Sequence, residues 1–252
     1  MPPAGRLASL RAKLALIEVG HAPAHAVLPF GDERIDALLP GGGLPLGRWH
    51  EAAGEGLEIE TAAATAGFIA TLATPLAEHG TVVWVMRRDD LFAPGLASLG
   101  FPAERLIQVR VRSDAQALAA LEDALAAPGV AAAVGEIEDV DLTAGRRLQL
   151  ACEAHGATGF VLRRRLFGRT VRAQAAGTAA ASRWKIAPAP SQPPPGEPGL
   201  GPLRWQAELE RSRGGRTGAW LMERSDGAFP LRVVAELGDR QLAPAEPFSL
   251  AG

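Results

Sequence analysis

The sequence predicts an α/β fold, with a mainly parallel sheet flanked by helices and an antiparallel β-hairpin extension at its C-terminal end. Three observations carry this. Short apolar runs, TVVWVM at 81–86, VAAAVG at 130–135 and TGFVL at 158–162, read as strands buried on both faces. Segments of helical periodicity separate them, and strands alternating with helices are built into parallel sheets by crossover connections. Residues 203–210 and 219–223 alternate around the Gly-rich turn RSRGGRTG, which is the pattern of a hairpin.

The elements follow in order. Leu7, Leu10, Leu14 and Ile17 recur at helical spacing, so residues 5–19 form an amphipathic helix, packed on its own domain or on a partner. Residues 21–29 hold two histidines and two prolines and read as linker rather than metal site. A polar lead-in and the bend LPGGGLP come next. Residues 47–53 make a first strand and 61–79 an Ala-rich helix, with Pro75 in its last turns and Gly80 as its stop. After the 81–86 strand come a short helix within 91–101 and a strand at 106–111. Ser113 caps the following helix, with Gln116 reaching back, and Leu118, Leu121 and Leu125 form its buried stripe. Residues 141–156 are the next helix, with Cys152 as a small core residue and His155 near the helix end. Residues 182–187 alternate like a strand. The organisation expected is an N-terminal helix and linker at 1–27, the α/β core at 28–187, a Pro-rich connector at 188–202, the hairpin region at 203–238 and a tail at 239–252.

Composition sets bounds. The chain has 252 residues and a net charge of −2, room for one α/β domain with appendages and no global bias toward nucleic acid. One cysteine excludes a disulfide framework or a Cys-based zinc site within the chain and fits a reducing cytoplasm. The N-terminal stretch lacks a secretory apolar region, and no run of about 18 apolar residues occurs, so cytoplasmic residence without a membrane span is expected.

Residues 28–61 organise the rest. Gly42-Gly43-Leu44-Pro45, Gly47-Arg48 and Glu51, followed by a short strand and a glycine, resemble the opening of the RecA core. That resemblance implies a P-loop NTPase-type core. The family's phosphate loop, G-x-x-x-x-G-K-T, falls on Gly54-Glu55-Gly56-Leu57-Glu58-Ile59-Glu60-Thr61. Gly54 and Thr61 are kept, Ile59 stands for the second glycine and Glu60 for the lysine. A carboxylate where a phosphate-binding cation belongs repels a triphosphate by about 4 kcal/mol at 4 Å in a surface-like dielectric. The expectation is a degenerate, vestigial loop, no bound cofactor and no ATPase activity. Read without the resemblance, 54–61 is a strand-to-helix turn. The family's catalytic glutamate falls on Arg88, with Asp89 and Asp90 just beyond. Its Mg²⁺-holding aspartate falls near Glu136, a vestigial acidic position that either mimics that aspartate or lies with Glu138, Asp139 and Asp141 in a solvated acidic loop and helix N-terminus.

Basic and aromatic residues supply the binding candidates. Arg163, Arg164, Arg165, Phe167, Arg169 and Arg172 crowd the end of the 158–162 strand. Arginine for phosphates with an aromatic for stacking suits single-stranded DNA, and a solvated or partner-facing edge suits the same residues. Trp205, Trp220, Arg211, Arg213 and Arg216 in the hairpin region are candidates for partner contact, although tryptophan in an alternating strand is equally a core residue.

The C-terminal sequence RWKIAPAPSQPPP…GLGPLRWQAELERSRGGRTGAWLMER, joined to the lost phosphate loop, resembles the ImuA (inducible mutagenesis protein A) family of RecA relatives. The resemblance implies a non-catalytic accessory factor in DNA-damage-induced (SOS) translesion synthesis and mutagenesis. It further implies an ImuB-like Y-family polymerase homologue as partner, with RecA and an error-prone polymerase III α-type subunit as further partners. The alternatives are an SOS cell-division inhibitor on a related core, and a weak ATPase or single-stranded DNA-binding RecA relative.

Overall fold

The computed structural model describes residues 26–164 and 179–237. The expected N-terminal helix, the tail and Arg165, Phe167, Arg169 and Arg172 lie outside the described residues. β1 (Val27–Leu28) and β2 (Leu44–Pro45) pair as a small antiparallel ribbon. Between them α1 (Glu33–Asp36) makes one helical turn, where Asp32 caps by accepting from the Arg34 N–H.

The main sheet has nine strands. β3 (Trp49–Gly54), β4 (Thr81–Met86), β5 (Leu106–Arg110), β6 (Val130–Ile137), β7 (Thr158–Arg163) and β8 (Ser182–Ala189) run parallel, in the order β8-β3-β7-β6-β4-β5. β9 (Arg204–Ser212), β10 (Gly218–Arg224) and β11 (Leu231–Glu236) continue the sheet antiparallel from β8. The C-terminal part is therefore three strands rather than a two-stranded hairpin, and hydrogen bonds join it to the parallel part. β8 also runs two residues past the expected end, through Pro188.

Helices cover the parallel strands on both faces. α2 (Glu58–Ala77) and α3 (Ala93–Ser98) share one core with Trp84, Phe160, Trp184, Trp205 and Trp220. The rings of Phe68 and Trp184 lie 5.7 Å apart, and those of Trp184 and Trp220 lie 6.2 Å apart. α4 (Asp114–Leu125) and α5 (Leu142–His155), the latter carrying Cys152, pack the opposite face over Trp49, Val85, Ala133 and Val161. Ser113 caps α4 as expected, accepting from the Gln116 N–H, while the Gln116 side chain accepts from the Arg112 N–H. α5 ends at Gly156, whose φ of 76° lets the cap close without Cβ strain.

α2 differs from expectation in its start. It begins at Glu58, three residues before Thr61, and it absorbs Pro75 without ending there. The acidic first turn favours the early start through the helix dipole. Its threonines are tolerated in an apolar helix because each hydroxyl donates to a carbonyl one turn back: Thr61 to Leu57, Thr65 to Thr61, Thr71 to Gly67 and Thr74 to Ala70. α2 is long and apolar enough to cross a membrane by length and composition, but Phe68, Ile69, Leu72 and Leu76 are covered by the sheet and its neighbours.

Candidate functional site

Ligand sites in open α/β sheets lie beyond the carboxyl ends of the strands. Here that edge gathers the end of β3 and the start of α2, the residues after β4, the end of β6 and the residue after β7. Each position expected of a nucleotide site can be followed to its place.

The β3–α2 connection is short. Gly54 ends the strand, Glu55 donates its N–H to the Ile186 carbonyl of β8, Gly56 takes φ 98°, and Leu57 caps the helix. A phosphate loop works through free backbone N–H groups. In this turn the N–H groups of Glu60 and Thr61 both donate to the Leu57 carbonyl. The Thr61 hydroxyl, the expected Mg²⁺ ligand of the family pattern, also donates to Leu57, at 3.0 Å, and is buried under Gly54. A Cβ on residue 54 would stand 2.1 Å from the Thr61 Oγ1. Gly54 and Thr61 are thus a close packing pair closing a tight turn. Glu60 projects from the first turn of α2 into solvent.

The centre of the edge is held by Arg164. Its Nε donates to Glu58 Oε1 at 2.6 Å, its Nη1 to Glu136 Oε2 at 3.0 Å, and its Nη2 to Asp90 Oδ2 at 2.9 Å. One guanidinium therefore joins the start of α2, the loop after β4 and the end of β6. Its side chain is 8% exposed and that of Glu136 is 2% exposed, so this is a buried charge cluster. The second Glu136 oxygen accepts from the Trp84 indole N–H at 3.0 Å.

The electrostatics follow from burial and contact. Burial pushes the Glu136 pKa up, against the opposing pull of the Arg164 charge and the Trp84 hydrogen bond. Asp90 moves the other way: desolvation raises it, but the hydrogen bond and charge of Arg164 outweigh that and hold it below the usual carboxylate range. Burial alone would lower the Arg164 pKa, but Asp90, Glu136 and Glu58 together raise it. The guanidinium stays charged and holds the cluster together.

Glu136 is thus not part of a solvated acidic loop. It lies on the α2 side of the sheet because the alternation of β6 places Gly135 against Leu121 on the other side. Arg163 points to that other side. It meets Glu51 at 2.7 Å and Asp139 at 3.3 Å, and Glu51 also accepts from Arg183. The two consecutive arginines, expected together at a DNA- or partner-facing edge, enter two different carboxylate clusters.

Trp205 and Trp220 are core residues. The Trp205 indole N–H donates to the Ala64 carbonyl of α2 at 2.8 Å, and its ring packs against Phe68. Arg211 and Arg213 are half-buried and Arg216 is exposed. The backbone N–H groups of Arg213 and Arg216 tie the β9–β10 turn to Ala181 and Leu38. Glu58 and Asp90 are the site residues that sequence reasoning missed as a pair with Arg164. The only signal for them was three acids at the ends of predicted strand–helix connections.

Comparison with known proteins follows from this geometry. No family model matches the chain. Protein ImuA of Caulobacter vibrioides strain NA1000 / CB15N is 55% identical over 238 residues, covering 91% of this chain and 98% of the relative. Protein ImuA of C. vibrioides strain ATCC 19089 is matched to the same extent, 55% over 238 residues. Among solved structures, SulA from Pseudomonas aeruginosa is matched at a TM-score of 0.40 and 20% identity, covering 46% of this chain and 98% of that one.

Proposed function

The chain belongs to the ImuA family, and from that premise we propose that it is a non-catalytic accessory factor in SOS mutagenesis, acting in translesion synthesis after DNA damage. Its partner in this reading is an ImuB-like Y-family polymerase homologue, with RecA and an error-prone polymerase III α-type subunit as further partners. The scaffold is read as a RecA-type core whose nucleotide site has become structural. Cytoplasmic residence belongs to the same reading, supported by the single, buried Cys152.

One observation carries the non-catalytic part. Arg164 occupies the space among Glu58, Asp90 and Glu136, at the edge where such a core would hold phosphates and Mg²⁺. A nucleotide entering there would meet an acidic first helical turn instead of a lysine. Its Mg²⁺ would have to displace a guanidinium from carboxylates already neutralised by it. The Glu60 and Thr61 N–H groups, at the positions of the family's lysine and threonine, are spent on the Leu57 carbonyl.

The test is affinity capture of the tagged full chain from its own host before and after DNA damage, with partners identified by mass. Recovery of the ImuB-like polymerase homologue or of RecA supports the reading. Recovery of the tubulin-like division protein instead would replace it with the cell-division inhibitor.

A further inference from the structure

Three large apolar side chains stand in water around the Arg164 cluster. Ile59 is 91% exposed, Phe92 71% and Leu57 61%. Leu57 and Ile59 flank Glu58, and Phe92 lies two residues beyond Asp90. Glu58 and Asp90 both bind the one Arg164 guanidinium, so these segments meet at one edge of the sheet. Phe92 is held in place by its own helix: it caps α3, and a Cβ on Gly95 would come within 3.2 Å of its ring. α3 in turn packs on α2, where Leu99 lies 3.8 Å from the position a Cβ would take on Gly67. Leu57 and Ile59 thus stand at the start of α2 and Phe92 at the start of α3, and exposed apolar clusters mark interaction sites.

Among the described residues, carboxylates outnumber cations around them. Glu55, Glu60 and Asp89 present exposed carboxylates at this rim; Glu55 pairs with Lys185 and Asp89 with Arg110, while Glu60 takes part in no ion pair among the described residues. Among the described residues the cations at this rim are each paired: Arg88 to Asp90, Arg110 to Asp89, Lys185 to Glu55 and Glu208, and Arg164 inside the cluster. An apolar centre with an acidic rim is complementary to an amphipathic segment carrying lysine or arginine beside its apolar side chains.

We propose that Leu57, Ile59 and Phe92, rimmed by Glu55, Glu60 and Asp89, dock a basic amphipathic segment of the polymerase-like partner. This rests on the accessory reading above and adds the surface and the chemistry of its contact. The Arg164 cluster ties together the two segments that carry these apolar residues.

The experiment titrates the purified full chain with the purified ImuB-like homologue from the same organism, at several salt concentrations. The proteins compared are the wild type, the double variant Ile59→Ser/Phe92→Ser, and Glu60→Lys. All three positions are exposed, so thermal unfolding is expected to match wild type. The double variant is expected to weaken binding about tenfold or more, as loss of central apolar contacts does. Glu60→Lys is expected to weaken it several-fold at low salt and to flatten its salt dependence. Wild-type binding by both variants would overturn the proposal while leaving the accessory reading intact. So would a change in the chain's own oligomeric state in place of partner binding, which would assign the patch to a second copy. Absence of wild-type binding would overturn both.

Discussion

Replacing Arg164 by methionine removes the cation and keeps the aliphatic bulk. The three carboxylates of Glu58, Asp90 and Glu136 then face one another, and the Glu136 side chain is 2% exposed. Breaking a buried ion pair by removing one partner costs about 3–5 kcal/mol, because a buried charge is left without compensation. A carboxylate pair at 4 Å adds repulsion of up to about 4 kcal/mol at an effective dielectric of 20, which Glu136 escapes by taking up a proton. Its pKa is already raised by burial, and loss of Arg164 removes the main opposing influence. The destabilisation is thus larger near pH 7 than near pH 5, because proton uptake by Glu136 relieves it as pH falls. Urea unfolding of the wild type and Arg164→Met at both pH values measures it. Adding Glu136→Gln, which retains an acceptor for the Trp84 indole, is expected to restore part of the loss at pH 7. A cost below about 1 kcal/mol, or one that does not change with pH, would refute the description of Arg164 as the keystone of a buried charge cluster.

Three further outcomes follow from the same coordinates. His50 is buried, with Nε2 donating to the Pro45 carbonyl at 2.8 Å and Nδ1 accepting from the Ser182 hydroxyl at 2.7 Å, and burial lowers its pKa to about 4. The unfolded chain takes up this proton first, near pH 6.5. The stability contribution is therefore complete above that pH and is lost as pH falls toward 4, with a slope of up to about 1.4 kcal/mol per pH unit; a His50→Gln variant whose stability keeps the same slope would contradict this. Gly54→Ala places a methyl 2.1 Å from the Thr61 hydroxyl and is expected to cost about 1–3 kcal/mol by denaturant unfolding, with Gly54→Ala/Thr61→Ala, which removes that hydroxyl, regaining part of it. The Cys152 thiol is pushed up to about 12 by burial, so a thiol reagent at pH 8 is expected to label it only at the rate of unfolding, and fast labelling of the folded chain would show an open path to it.

The strands were legible because burial on both faces leaves apolar runs, and TVVWVM became β4 with its limits unchanged. The capping of α4 was local and equally visible. The true start of α2 was not, because the family's loop pattern placed the helix after Thr61 while the three-residue turn and acidic first turn placed it at Glu58. Trp205 could be read from alternation with Ala207 and Leu209, which share its buried face. The partners of Arg164 could not be read at all: they lie 28, 74 and 106 residues away, and an arginine run after a strand looks alike whether it meets phosphate or carboxylate. The sequence shows a glutamate where the family pattern has lysine; only the fold shows that Arg164 joins Glu58, Asp90 and Glu136.

We propose that this edge takes no nucleotide. Titration of the purified wild-type chain with ATP and Mg²⁺, followed by calorimetry or with a labelled nucleotide, tests it most directly. The account predicts no saturable binding up to roughly millimolar nucleotide, a binding free energy weaker than about −4 kcal/mol. Saturable binding in the micromolar range, weakened by substitutions at Gly54 or Thr61, would contradict it.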